Sequence, residues 1–218
     1  MLQPDTLQFL LDLNVNNNKT WFDANRKRFE AAKKDVEQLV GEILIGCANF
    51  EPALIDFKAK DCVFRIYRDV RFSKDKTPYK NNMGAWFNKG GKKAAHAGYY
   101  LHSEPGNSML AGGMYMPESE QLRNVRQEID YNTEEFKNIL NNTKFKKTFG
   151  ELNDYKLKTT PKGYTKDHPE IETLKQTSFV VSRKVTDAEL LDKKFASKAV
   201  EVFETLHPFN AFLNRVMG

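Results

Sequence analysis

Long apolar runs are missing from this chain: no stretch approaches the roughly 20 consecutive apolar residues of a membrane-spanning helix, and charge interrupts the apolar segments every few positions. Cysteine is scarce. Cys47 and Cys62 are the only two in 218 residues and show no CxxC spacing, so neither a disulfide framework nor a zinc site is expected, and both read as buried thiols. The histidines His96, His102, His168 and His207 never pair at i, i+4, and no metal site is expected. P-loop, GxSxG, HExxH and dinucleotide fingerprints are absent, and Gly90-Gly91-Lys92-Lys93 lacks the remaining spacing of any of them. No reaction and no cofactor can be named from a motif. The opening MLQPDTLQFLLDLN carries Asp5 and Asp12 and has neither the basic region nor the cleavage site of a signal peptide, so a cytoplasmic protein without a membrane partner is expected.

What is present suits one core. A chain of 218 residues, 40% hydrophobic and 12% aromatic, can bury one substantial core and is expected to form a single domain over residues 1–218. The net charge is +5, but its distribution says more. Residues 58–93 hold eleven Lys or Arg against Asp61, Asp69 and Asp75, a local excess of +8, so the rest of the chain sums to −3. Such a concentration attracts phosphates and polyanions over a Debye length of about 8 Å, or simply solvates a surface.

Apolar spacing predicts a short helix from Pro4 to Leu13 and a long one from Thr20 almost to Ala48. β-branched and aromatic residues then predict strands at Cys62–Phe72, Met83–Phe87, Gly98–Ser103 and Ser108–Tyr115, with Glu104-Pro105-Gly106-Asn107 as a hairpin turn. Gly112-Gly113 within a strand implies a bulge or a close approach to the backbone. Helices are expected after Pro117, with Leu122, Val125 and Ile129 on one face, and over Thr133–Leu140; Lys144 to Asp167 reads as polar and turn-rich. A brief helix at Pro169–Lys175, a strand Ser178–Val185 and a closing helical stretch bent at Pro208 complete the pattern. The expected class is α+β, a largely antiparallel central sheet flanked by N-terminal and C-terminal helices.

The segment FRIYRDVRFSKDKTPYK, residues 64–80, interleaves cations with apolar residues. Read as a strand of period two, it sets Arg68 in an apolar row with Phe64, Ile66, Val70 and Phe72, where a guanidinium needs a carboxylate or a bound anion; Glu104, Asp130 and Asp69 are candidate partners. The opposite face offers Arg65 and Arg71 around Asp69, which can hold one guanidinium and leave another for a ligand. Planar guanidinium forks suit phosphate and carboxylate. Arg65, Arg68, Arg71 and Lys76 are therefore the candidate anion-binding residues, Asp69 and Asp75 their structural partners, and Tyr79 a phenol over the same site. Tyr100 and His102 alternate onto one face with Glu104 just beyond, so His102 and Glu104 join Tyr79 as candidates for proton transfer. Arg123 and Arg126 lie three apart, and surface pairing with Asp130 accounts for Arg126.

The pattern Arg65-x-x-Arg68-Asp69-x-Arg71-Phe72-x-x-Asp75-Lys76-x-x-Tyr79 resembles the motif of a bacterial conserved family of unknown function, RxxRDxRFxx[DN]KxxY. WFDANRKRFE (21–30), YYLHSEPGNSMLAGGMYMP (99–117) and PKGYTKDHPEI (161–171) extend the resemblance over nearly the whole chain. It implies a full-length single-domain family and marks the motif residues as a unit; it supplies no activity, substrate or cofactor.

Three functions fit these residues. A small phosphate- or carboxylate-bearing ligand in an arginine-rich pocket, with or without catalysis, accounts best for cations interleaved with apolar residues. A nucleic-acid-binding module would use the basic segment 58–93 for phosphates and Tyr67, Tyr79, Trp86 or Phe87 for stacking. A partner-docking scaffold would pair its arginines internally with Asp69 and Asp75.

Overall fold

Apolar residues three and four apart place Phe29, Ala32, Val36, Leu39, Val40, Ile43, Leu44 and Cys47 on one buried helical stripe, around which the rest of the chain assembles. The structure, a computed structural model, describes residues 1–217. Helices α1 (Pro4–Val15), α2 (Lys19–Ala24) and α3 (Arg26–Cys47) open the chain. The single long helix expected from Thr20 is broken at Asn25. The Asn25 backbone N–H donates to the Trp21 and Phe22 carbonyls at 3.0 and 3.1 Å, and its side-chain amide donates to Trp21 again at 2.9 Å. A side chain that competes for helix carbonyls ends the helix, and the chain turns there before α3 begins.

A 3-10 turn (Pro52–Asp56) and α4 (Ala59–Cys62) lead to the strands β1 (Met83–Phe87), β2 (Gly98–Ser103) and β3 (Ser108–Met114). Four helices, α5 (Ser119–Tyr131), α6 (Thr133–Asn141), α7 (Thr143–Phe149) and α8 (Ile171–Leu174), precede β4 (Phe179–Val185), α9 (Asp187–Leu190) and α10 (Phe195–Asn214). Helix α7 lies where turns were expected. The Asn142 side chain accepts hydrogen bonds from the Lys144 and Phe145 N–H groups at 3.0 and 3.2 Å, and Phe145 and Phe149, four apart, bury together. Helix α10 continues through Pro208, as one helix from Phe195 to Asn214.

The four strands form one antiparallel sheet in the order β1-β2-β3-β4. This is an α+β fold with helices flanking the sheet. The Glu104–Asn107 turn closes the β2–β3 hairpin through a 2.9 Å bond from the Asn107 N–H to the Glu104 carbonyl, with Gly106 at φ 73°. The inner face carries Ala85, Phe87, Tyr99, Leu101, Leu110 and Val181, all buried. Phe203 of α10 stands edge-on to Phe87 at 5.6 Å and beside Tyr99 at 5.3 Å. A Cβ on Gly112 would run into the Gly98 carbonyl oxygen and Leu206 of α10, so the close approach expected at that glycine pair is the packing of helix on sheet.

The expected strand Cys62–Phe72 does not form. Cys62 ends α4, and residues 63–82 make an irregular loop that touches β1 through one Val63–Ala85 bridge and folds back on itself through a Tyr67–Tyr79 bridge. Ile66 is buried, but Phe72 at the tip is 96% exposed. The apolar row therefore has no surface to bury along its whole length, and so many cations side by side would repel one another in a ladder. Among the described residues no helix is long and apolar enough to cross a membrane.

Candidate functional site

The motif residues of loop 63–82 hold that loop together. Arg68 is 26% exposed and reaches the Asp75 carboxylate at 2.5 Å, the Thr77 carbonyl at 3.2 Å and the Thr77 hydroxyl. Its expected partners Glu104, Asp130 and Asp69 are not used. The Thr77 N–H, then Arg68 and the Thr77 hydroxyl, hold the Asp75 carboxyl down to about 2. Asp69 grips Arg71 with two bonds of 2.9 and 2.7 Å to the guanidinium, out in solvent, and the Lys76 ammonium donates to the Val70 carbonyl at 2.9 Å. Tyr79 is buried, stacked on Phe22 at 3.9 Å and tilted against Tyr67 at 5.4 Å, with its backbone N–H and carbonyl bonded to the Asn17 side chain. Among the described residues neither Arg65 nor Lys76 has a hydrogen-bonded carboxylate, and Arg65 follows Phe64, whose N–H bonds to the Gly84 carbonyl of β1 at 2.9 Å.

On the sheet face turned away from α10 lies a cleft of about 720 Å³, within the range of small-molecule sites. Trp86 of β1, Tyr100 of β2, Met109 and Ala111 of β3 and Val180 and Ser182 of β4 form its floor; Phe64 and Lys92 wall the β1 side and Tyr115, Met116 and Tyr155 the other. Arg68, Arg71, Lys76 and Tyr79 are not among its lining residues. The arginine loop and the cleft are thus two places, joined at Phe64.

The second group of sequence candidates does come together at the cleft. The Tyr100 hydroxyl is 2.9 Å from Nδ1 of His102, whose Nε2 is 3.0 Å from Oε2 of Glu104. The alternation of β2 puts the two rings side by side, and the hairpin turn brings Glu104 back to meet the imidazole. Asn81 and Asn107 each donate to Glu104, at 2.6 and 2.8 Å. Burial pushes the Glu104 carboxyl up, but the bonds from His102, Asn107 and Asn81 outweigh it and leave it below the usual carboxylate range. Burial, with the Glu104 charge behind it, raises the Tyr100 phenol. Across the ladder, a Cβ on Gly84 would sit 2.8 Å from the Tyr100 hydroxyl, so a glycine is needed there for the tyrosine to lie over β1. With His102 neutral and Nε2–H donated to Glu104, Tyr100 donates to Nδ1 and offers lone pairs to a ligand; with His102 doubly protonated, Nδ1–H donates to Tyr100 and frees the phenol proton for the cleft.

Sequence reading did not single out Lys92, which lines the cleft, or Lys80, which lies behind its edge. Each ammonium lies 5.4 Å from the centre of the Phe64 ring, and Lys92 also donates to the Val63 carbonyl at 3.0 Å. Their local excess of positive charge was visible in the sequence, but nothing there marked them apart from Lys74 or Lys89. Arg126 does not pair with Asp130; it donates to the carbonyls of Leu174 and Gln176 at 2.7 and 2.9 Å, while Asp130 holds His168 at 2.9 Å. Arg123 stays on the surface beside Glu120 at 3.6 Å. Among the described residues no group of His, Cys, Asp and Glu is placed to hold a metal. Cys47 and Cys62 are free and buried, and burial pushes their thiols up to about 12 and about 11.

Fold and cleft define an α+β protein with a ligand-sized hollow on the open face of a four-stranded antiparallel sheet. The chain belongs to the family described as conserved hypothetical protein (DUF2461), whose model matches residues 5–212. No curated protein and no solved structure matches it.

Proposed function

We propose that the open-face cleft binds a small ligand bearing a phosphate or carboxylate group and that Tyr100 exchanges a proton with it through His102 and Glu104. The observation that carries this reading is the Tyr100–His102–Glu104 chain, with bonds of 2.9 and 3.0 Å, ending on a residue of the cleft floor. A carboxylate that orients an imidazole, which in turn meets a hydroxyl, is the arrangement general acid–base chemistry requires. The anionic group belongs at the Phe64 side, where Lys92 lines the cleft. This moves the anion site from Arg68, Arg71 and Lys76, which are engaged within their own loop, to the cleft edge beside Arg65.

Thermal stability against phosphate, nucleotides, sugar phosphates, carboxylates and short single-stranded oligonucleotides, each at low and high salt, tests the reading. Ligand at 100 times its dissociation constant adds about 2.7 kcal/mol. The expected outcome is a salt-tolerant shift with a small anion, lost in Ser182→Phe, which fills the cleft, and retained in Arg71→Ala. Tyr100→Phe keeps the ring and is expected to change the pH dependence of binding. A nucleic-acid reading draws on a different observation, the loop tip where Phe72 is 96% exposed with the Arg71 guanidinium 5.8 Å from its ring centre. Shifts with oligonucleotides alone, vanishing in salt and in Phe72→Ala, would replace the cleft reading with that one.

A further inference from the structure

The cleft is unequal at its two ends, and the inequality bears on what it holds. Its floor crosses all four strands, so its walls stand roughly 14 Å apart at a strand spacing of about 4.8 Å. At the β1 end Lys92 lines the cleft beside Phe64, while Lys80, behind that edge and outside the lining, lies on the same ring, with Arg65 next in sequence. Lys80 is half-buried, and no carboxylate hydrogen-bonds to its ammonium, to that of Lys92 or to Arg65 among the described residues. This contrasts with Arg68 and Arg71 a few residues on, each of which is matched to its own aspartate. At the β4 end the lining is largely aromatic: Tyr115 and Tyr155 meet edge to face at 5.8 Å, Met116 stands beside them, 71% exposed, and Glu118, the N-cap of α5, is the one carboxylate among the described lining residues.

Resting on the cleft reading above, we infer that the ligand is an elongated phosphate monoester, its phosphate among Lys80, Lys92 and Arg65 at the Phe64 edge and a flat ring against Tyr115 and Tyr155 at the far edge. A monoester carries close to two negative charges near neutral pH, as a phosphorylated side chain does, which answers three neighbouring cations without a hydrogen-bonded carboxylate better than one carboxylate does. Burial lowers the Lys80 pKa, and the Arg65 and Lys92 charges lower it further. A flat ring gains from Tyr115 and Tyr155 what stacked bases gain from aromatic platforms. Tyr100 lies over β1 with its ring 6.4 Å from that of Phe64, which puts the proton-handling hydroxyl at the phosphate end of the ligand.

The test uses the full chain and three pairs of probes, each a ring phosphate with its parent alcohol: AMP with adenosine, UMP with uridine, and phenyl phosphate with phenol. Calorimetric affinities are read beside the Trp86 indole N–H signal in NMR spectra. The expected result is at least one pair in which the phosphate binds tenfold or more tightly than its alcohol, with that preference abolished in Lys80→Gln and Lys92→Gln. Affinity for the alcohol should persist in both variants, and Tyr155→Ala should weaken both members of the pair. In the complex the Lys80 side chain should titrate at higher pH than in the free protein. If alcohols and phosphates bind alike and move Trp86, or if the lysine variants bind the phosphate as well as the parent protein does, the phosphate assignment is overturned while the cleft reading stands. If no probe moves Trp86, both fall.

Discussion

Two arginines three positions apart carry the same charge and have different consequences. Arg68 is one-quarter exposed and ties Asp75 to Thr77 across the neck of the loop, whereas Arg71 meets Asp69 with 76% of its side chain in solvent. Arg68→Ala removes charge-assisted bonds and is expected to cost about 2 kcal/mol, a fall of roughly 4–8 °C in Tm for a chain this size. Arg71→Ala is expected to leave Tm unchanged, because water replaces a surface pair at little cost. Asp75 adds a pH dependence. Its folded value, about 2, lies below the value of roughly 4 in the unfolded chain. Its stabilisation is therefore complete above about pH 4 and is lost as pH falls through the folded value. The Tm advantage of the parent protein over Asp75→Asn should shrink on going from about pH 5 to pH 2; an advantage that stays constant would show that the pair contributes nothing. At this scale the sequence was half legible. It marked Asp69, Asp75 and the arginines as a unit and expected Asp69 to hold one guanidinium, but which carboxylate meets Arg68 depends on how the loop turns at Thr77 and Pro78.

At the scale of elements, the regular ones were readable because their patterns are local. The stripe of α3 and the alternation of β2 each follow from a period, and the β2–β3 turn follows from the dihedral preferences of Pro, Gly and Asn. The break at Asn25 and the start of α7 at Asn142 were missed, because an asparagine ends or caps a helix according to which backbone groups its side chain reaches. The absent strand at Cys62–Phe72 has another cause. Its composition fits a strand, yet only its first residues meet β1, and the residues around Tyr67 pair back to Tyr79 within the loop instead. Two glycines mark where elements press closest. Gly112→Ala is expected to destabilise by about 2 kcal/mol, as overpacking does, with the loss read in the Tm. Gly84→Ala should instead act on the cleft, since its methyl would displace the Tyr100 hydroxyl. A shift in the His102 ring signals without a comparable fall in Tm is the expected signature.

For the molecule as a whole, one core of buried side chains joins α1, α3 and α10 to the inner face of the sheet. Phe203, fully buried between Phe87 and Tyr99, sits at its centre. Phe203→Ala is expected to cost about 3–5 kcal/mol, and unfolding followed by near-UV and far-UV circular dichroism should share one midpoint, before and after the substitution. By itself the sequence determined the α+β class, most helices and strands, the burial of both cysteines and the adjacency of Tyr100, His102 and Glu104, all of which rest on spacing within a few residues. Only the tertiary structure decided that this triad opens on a cleft. It likewise decided that Lys80 and Lys92 meet at Phe64 and that Arg68 and Arg71 are spent on their own loop. Those facts depend on which distant segments share a sheet face, and that follows from the packing of α10 on one side of the sheet, which leaves the other side open.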